Sequence, residues 1–234
     1  MSKRTTGPHR EAGRNSGSIT GEHAARRRRS GAHGGGGHGE GAGLVDGREV
    51  RIALDLLSAV PDLTSMLWLP CRDADLYRRV ERRLPPRVFL ADYRAGRLHR
   101  VVDGLPESAR GVCRARALDV PVLDWADGMV DVVWAPGILS RLAVPADRRL
   151  FLQRLAFITR RVLCVSARVS APRRSSSTGF SGLGPEQAVA EELLLTDFDD
   201  VGLEVVERRR VLGPFSDRRV YLLGPADDAT LRDQ

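Results

Sequence analysis

The chain has 234 residues, 42% of them hydrophobic, which is enough for one full core plus an appendage and too short for two comfortable domains. Its formal net charge is +7, but residues 1–42 hold eight of the bases (Lys3, Arg4, Arg10, Arg14 and Arg26 through Arg29) against Glu11, Glu22 and Glu40, so +5 sits at one end and +2 is left for the rest. With no aromatic platform for bases and with arginine mixed among acids after residue 42, a nucleic-acid-binding surface is not expected. Three widely spaced cysteines, Cys71, Cys113 and Cys164, exclude a disulfide framework and a paired-thiolate zinc site.

Residues 1–43 are rich in Gly, Ser and Arg and include GAHGGGGHGEGAG, which offers no apolar periodicity to offset the entropy of ordering. They read as a disordered tail. His23, His33 and His38 are separated by glycines that cannot hold imidazoles around a metal, and no metal is expected. The run Arg26 to Arg29 reads first as a solvated basic stretch, and its functional alternative is contact with nucleic acid or an acidic protein partner. No apolar run is long enough to cross a bilayer and the first thirty residues lack the apolar core of a secretory signal, so a cytoplasmic protein is expected.

Order is expected from about Val45, in a domain over residues 44–226 followed by a short tail, 227–234. VRIALDLLSAV sets Ile52, Ala53, Leu56, Leu57 and Val60 on one helical stripe before Pro61. A strand follows at Met66 to Leu69, a helix from about Asp73 to Arg83, and a second strand from Arg87 that ends at Asp92. The third strand is expected at Val112 to Leu118 and the fourth at Val130 to Trp134. ADRRLFLQRLAFITR is a helix with Leu150, Phe151, Leu155 and Ile158 on one face, and RVLCVS is a fifth strand. A polar loop containing Ser175 to Thr178 leads to a helix over Glu186 to Thr196, and the chain closes with an antiparallel hairpin that turns at Gly213 to Asp217.

The segment LDWADGMVDVV is the most specific. Leu123, Trp125, Asp127, Gly128, Val130, Asp131, Val132 and Val133 occupy positions that resemble the LPF-x-D-G-S-F-D-V-V signature of class I S-adenosylmethionine-dependent methyltransferases. The resemblance covers residues 62–224 and implies a three-layer αβα sandwich, Rossmann-like, with a mainly parallel seven-stranded sheet and a C-terminal antiparallel hairpin. It also implies S-adenosylmethionine as cofactor and a small-molecule methyl acceptor. In such sheets the ligand sits beyond the carboxyl ends of the strands where strand order reverses, so the loop after the first strand is the candidate cradle.

The resemblance implies a cofactor-binding set comprising Pro70, Cys71, Arg72 and Ala74 in that loop, Asp92 and Tyr93 after the second strand, Asp119 and Val120 after the third, and Trp134 after the fourth. Asp92 takes the ribose role and Asp119 the adenine role. LWLPCRDADL departs from the family's LDLPCGTGRL: Trp68 replaces the acid, and Arg72 and Ala74 replace the two glycines. A side chain where a backbone must approach a ligand closely occludes the pocket. Where relatives carry histidine, this chain has Ser140 and Arg141. No catalytic acid–base group is evident, and His99 is the only histidine outside the tail. Two functions follow from the sequence: methyl transfer to a small molecule, or a catalytically inactive fold member acting as a binding or regulatory partner.

Overall fold

The computed structural model describes residues 39–111, 113–117, 125–170, 186–211 and 216–226. Asp119 and Val120 lie outside these residues, as do the arginine-rich tail up to residue 38, most of the loop before Glu186 and the central residues of the hairpin turn.

Helix α1 spans Gly39–Leu57 and so begins six residues before the expected start near Val45. Strand β1 (Ser65–Trp68) is buried along its whole length, the pattern of a central parallel strand covered on both faces. Helix α2 (Ala74–Val80) is capped by Asp73, whose side chain accepts from the Asp75 amide at 2.8 Å, and a 3₁₀ turn continues it to Arg83. Strand β2 (Arg87–Asp92), helices α3 (Ala95–Gly104) and α4 (Glu107–Arg110) and strand β3 (Cys113–Ala117) complete the first half.

The second half runs β4 (Val130–Ala135), α5 (Pro145–Ile158), β5 (Thr159–Ser170), a two-residue β6 (Val189–Ala190), α6 (Glu191–Asp199), β7 (Leu203–Arg210) and β8 (Arg218–Pro225). The sheet order is β3-β2-β1-β4-β5-β8-β7, with β6 pairing β5 off that path. All pairs are parallel except β5 with β8 and β8 with β7. The expected seven-stranded, mainly parallel sheet with an antiparallel hairpin is therefore present, with one short strand added. The final helix begins at Glu191 rather than Glu186 because β6 occupies the preceding residues.

Two apolar clusters lie on opposite faces of the sheet. One unites α1 and α2 with Trp68, Trp134, Cys164 and Leu222; the other unites α5 and α6 with Leu67, Val133, Leu163 and Tyr221. On α5 the buried face is Phe151, Leu152, Leu155 and Ile158, whereas Leu150, expected there, is 41% exposed. Its place is taken by Arg148, buried because its Nε donates to Asp197 Oδ2 at 2.7 Å and its Nη1 to the carbonyls of Leu142 and Ala143.

The signature segment serves the fold at the edge opposite the strand ends. Gly128 takes φ +54° and its amide donates to Phe157 O at 3.0 Å, closing the turn into β4. Asp131 then ties β4 to the start of β1: its Oδ2 accepts from the amides and hydroxyls of Thr64 and Ser65 at 2.7–3.0 Å, while Oδ1 accepts from Arg160. Burial pushes its pKa up, but the Thr64 and Ser65 hydrogen bonds outweigh burial and hold it below the usual carboxylate value. A depressed folded-state pKa stabilises above the unfolded value and loses that contribution as pH falls through the folded one. Asp131→Ala is therefore expected to cost about 1–3 kcal/mol at pH 7, with the gap to the wild type closing below about pH 4 in urea titrations. A gap independent of pH would assign the loss to packing alone.

Candidate functional site

Strand order reverses between β1 and β4, so the crevice at their carboxyl ends is where an open parallel sheet takes a ligand. The structure brings Pro70, Cys71, Arg72, Asp92 and Trp134 to these ends. The loop after β1 is tied down on both sides: the Leu69 amide donates to Trp134 O and the Cys71 amide to Ala91 O, each at 2.9 Å. Pro70 follows a cis bond and is buried.

Bulky side chains stand at the carboxyl ends of β1 and β4. Trp68, at the position expected to be acidic, is 1% exposed and packs with Leu76, Tyr77 and Trp134 in the α1/α2 cluster. The Arg72 guanidinium lies over the β4 end, Nη2 donating to Pro136 O at 3.2 Å. Gly137, at φ +64°, makes this approach feasible, since a Cβ there would stand 2.8 Å from Arg72 Nη2.

A buried ionic network adjoins it. Glu49 of α1 is 1% exposed; its Oε1 accepts from the Ser166 hydroxyl and its Oε2 from Arg218 Nη1 at 3.1 Å. Arg218 Nη2 donates to Glu186 Oε1 at 2.5 Å, and Ser166 Oγ accepts from the Gly137 amide at 2.8 Å. Among the described residues, the pocket lined by Glu49, Val50, Trp68, Pro70, Arg72, Leu76 and Pro136, at the end of β1, has a volume of about 10 Å³, room for about one water. A site for a drug-sized ligand needs roughly 300 Å³ or more.

Asp92 does end β2, fully buried as a ribose-binding carboxylate would be, but three of its roughly four acceptor positions are engaged. Arg97 of α3 grips it bidentately, Nε to Oδ2 at 2.7 Å and Nη2 to Oδ1 at 2.8 Å, and the Arg94 amide adds a third bond at 2.7 Å. Tyr93 lies beneath the same arginine, its ring centroid 5.0 Å from the guanidinium carbon. Ala74, half-buried, touches Gly104 of α3, where an added Cβ would stand 2.8 Å from Ala74 Cβ. Ser140, which replaces a family histidine, is structural: its buried hydroxyl accepts from the Arg168 amide at 2.6 Å.

Reading the sequence singled out neither Glu49, Arg97, Glu186 nor Arg218. Glu49 had a visible signal, because it falls on the same helical stripe as Ala53, Leu56 and Val60, where a carboxylate must find a buried partner. Arg97, five residues beyond Asp92, had none.

Cys71 is fully buried, and burial, with the Asp92 charge next, drives its thiol far above its ordinary pKa. Cys164 is raised by burial and then by Glu49, and Cys113, half-buried beside the Tyr77 hydroxyl at 3.2 Å, is also raised by burial. Thiol titration of the native protein near pH 8 is expected to label Cys113 slowly and the other two only after denaturation. Rapid labelling of Cys71 would contradict the closed loop. Among the described residues no cluster of His, Cys, Asp and Glu is arranged to hold a metal, and no helix is long and apolar enough to cross a membrane.

No family profile and no curated protein matches the sequence. Solved structures do. Magnesium protoporphyrin IX methyltransferase from Synechocystis PCC 6803 with bound S-adenosylhomocysteine superposes with a TM-score of 0.61 at 14% identity, over 82% of this chain and 90% of that one. The fold is that of the class I S-adenosylmethionine-dependent methyltransferases. A Haloferax volcanii protein in complex with the Trm112 methyltransferase activator matches at TM-score 0.59 and 15% identity, over 79% of this chain and 92% of that one. The [4+2]-cyclase SpnF matches at 0.59 and 13%, over 75% and 80%. A methyltransferase fold thus also carries a protein named for cyclisation, and activity has to be argued from the site.

Proposed function

We propose that this methyltransferase-fold chain is a binding or regulatory partner whose cofactor crevice is closed by its own side chains. The observation that carries this reading is the packed floor of the crevice, where Trp68, Arg72 and Glu49 leave about 10 Å³. Residues of this size and charge do not fit the methionine end of S-adenosylmethionine: the carboxylate that would face its amino group is a buried indole, and the loop glycines are a guanidinium and a methyl. The clamp of Arg97 on Asp92 takes two of the acceptor positions that a ribose diol would use. The Haloferax volcanii complex, between a methyltransferase activator and a methyltransferase, is a precedent for a protein partner on this fold and does not separate the two readings.

A second reading, methyl transfer from S-adenosylmethionine to a small-molecule acceptor, draws on two observations. Asp92 keeps its place at the end of β2, and Trp134 Nε1 is a buried donor with no acceptor among the described residues. Thermal unfolding separates the two. A ligand that binds only the native state raises the midpoint, by about 2.7 kcal/mol of added stability at a hundredfold excess over Kd. The closed-crevice reading expects no shift with either S-adenosylmethionine or S-adenosylhomocysteine. A dose-dependent rise with both, lost in Asp92→Ala, would favour the methyltransferase.

A further inference from the structure

We propose that the groove between α1 and α2 is a docking site for an acidic, amphipathic segment of a partner protein. The groove encloses about 830 Å³ and is lined from α1 by Gly47, Arg48, Arg51, Ile52 and Asp55, and from α2 and its 3₁₀ extension by Leu76, Arg79, Val80 and Arg83. Each helix contributes one face: residues 48, 51, 52 and 55 stand at i, i+3, i+4 and i+7, and so do 76, 79, 80 and 83. On both faces the arginines form the walls, and Ile52, Leu76 and Val80 form the floor. Arg210, which ends β7, and the following Val211 complete the lining.

The charge is strongly one-sided. Among the described residues, four arginines of α1, α2 and the 3₁₀ turn line the groove against a single acid, Asp55, which Arg83 already pairs at 2.6 Å. Arg48, Arg51 and Arg79 are exposed and make no hydrogen bond or ion pair among the described residues, although guanidinium groups are matched to carboxylates in fork geometry. Fixed like charges across a furrow are mutually repulsive and gain from an anionic occupant.

The floor decides which anion. An apolar strip between two charged walls suits a helix or extended segment with aliphatic side chains on one side and carboxylates on the other. A nucleic acid would find no aromatic side chain among the lining residues on which to stack a base. The groove shares only Leu76 with the lining of the closed crevice, so the proposal does not depend on whether that crevice takes a nucleoside.

Fluorescence anisotropy on the full chain tests this with three labelled probes: a peptide carrying leucine on one face and glutamate on the other, an all-glutamate peptide of equal length, and oligothymidylate. The amphipathic peptide is expected to bind tightest, and Arg48→Glu with Arg79→Glu to weaken it by about tenfold or more, while Arg154→Glu on α5 leaves it unchanged. The milder Arg48→Gln with Arg79→Gln pair should weaken it in the same direction with an unaltered melting curve, which separates lost binding from lost folding. No binding of the amphipathic peptide, equal binding of oligothymidylate or of the all-glutamate peptide, or a groove variant no weaker than Arg154→Glu would each overturn the proposal.

Discussion

Asp197→Ala is expected to destabilise the protein by about 3–5 kcal/mol, because it leaves the Arg148 guanidinium charged and buried without its counter-ion. Both side chains of the pair are 3% exposed, and the Nε to Oδ2 distance is 2.7 Å. Arg149 reaches the other Asp197 oxygen at 3.7 Å but is 40% exposed and can turn to water; Arg148, pinned by the carbonyls of Leu142 and Ala143, cannot do so without opening the α5/α6 face. Removing both charges should cost much less, since an apolar pair of similar volume meets no desolvation penalty. Chemical denaturation of Asp197→Ala and of Arg148→Met with Asp197→Leu checks this. Equal losses in the two would show that packing, not the stranded charge, sets the cost.

Trp68→Ala should cost about 3–5 kcal/mol, the range for truncating a buried tryptophan in a packed core. Its neighbours in the α1/α2 cluster include Leu76 and Tyr77 of α2 and Trp134 of β4, two elements anchored separately in the fold, and their collapse into the gap would be limited. Trp68→Asp does not rebuild a cofactor contact in this setting. It places a carboxylate at a 1% exposed position in the central strand and is expected to prevent folding. A well-folded Trp68→Asp variant, judged by a cooperative melt, would mean that this position opens to solvent.

Much of the fold was legible because parallel strands such as β4, VDVVWA, are apolar runs, broken there only by Asp131, and because Asp73 and Pro145 mark the starts of α2 and α5 by capping and fixed φ. Helix α3 was not anticipated: its buried contacts are only Leu98 and Val101, a stripe too sparse to stand out among its arginines. In the crevice, the departures at Trp68, Arg72 and Ala74 were readable one by one. So was the space they take together; the contributions of Glu49, Arg218 and Arg97 were not, since these are brought to the strand ends from α1, β8 and α3 by tertiary contacts that no local spacing encodes. The signature segment carried the family resemblance through Asp131 and the Gly128 turn, which hold the opposite edge of the sheet. It therefore reported the fold, while the cofactor positions lie on other segments of the chain.

The central claim, that the protein's own side chains close the cofactor crevice, is tested most directly by calorimetric titration of S-adenosylhomocysteine into the full chain. No saturable heat is predicted up to about 1 mM ligand, the concentration at which a Kd of 1 mM would already give half-saturation. A saturable isotherm at micromolar concentration, abolished by Asp92→Ala, would contradict it and require both the Arg97 clamp and the Arg72 cover to open in solution.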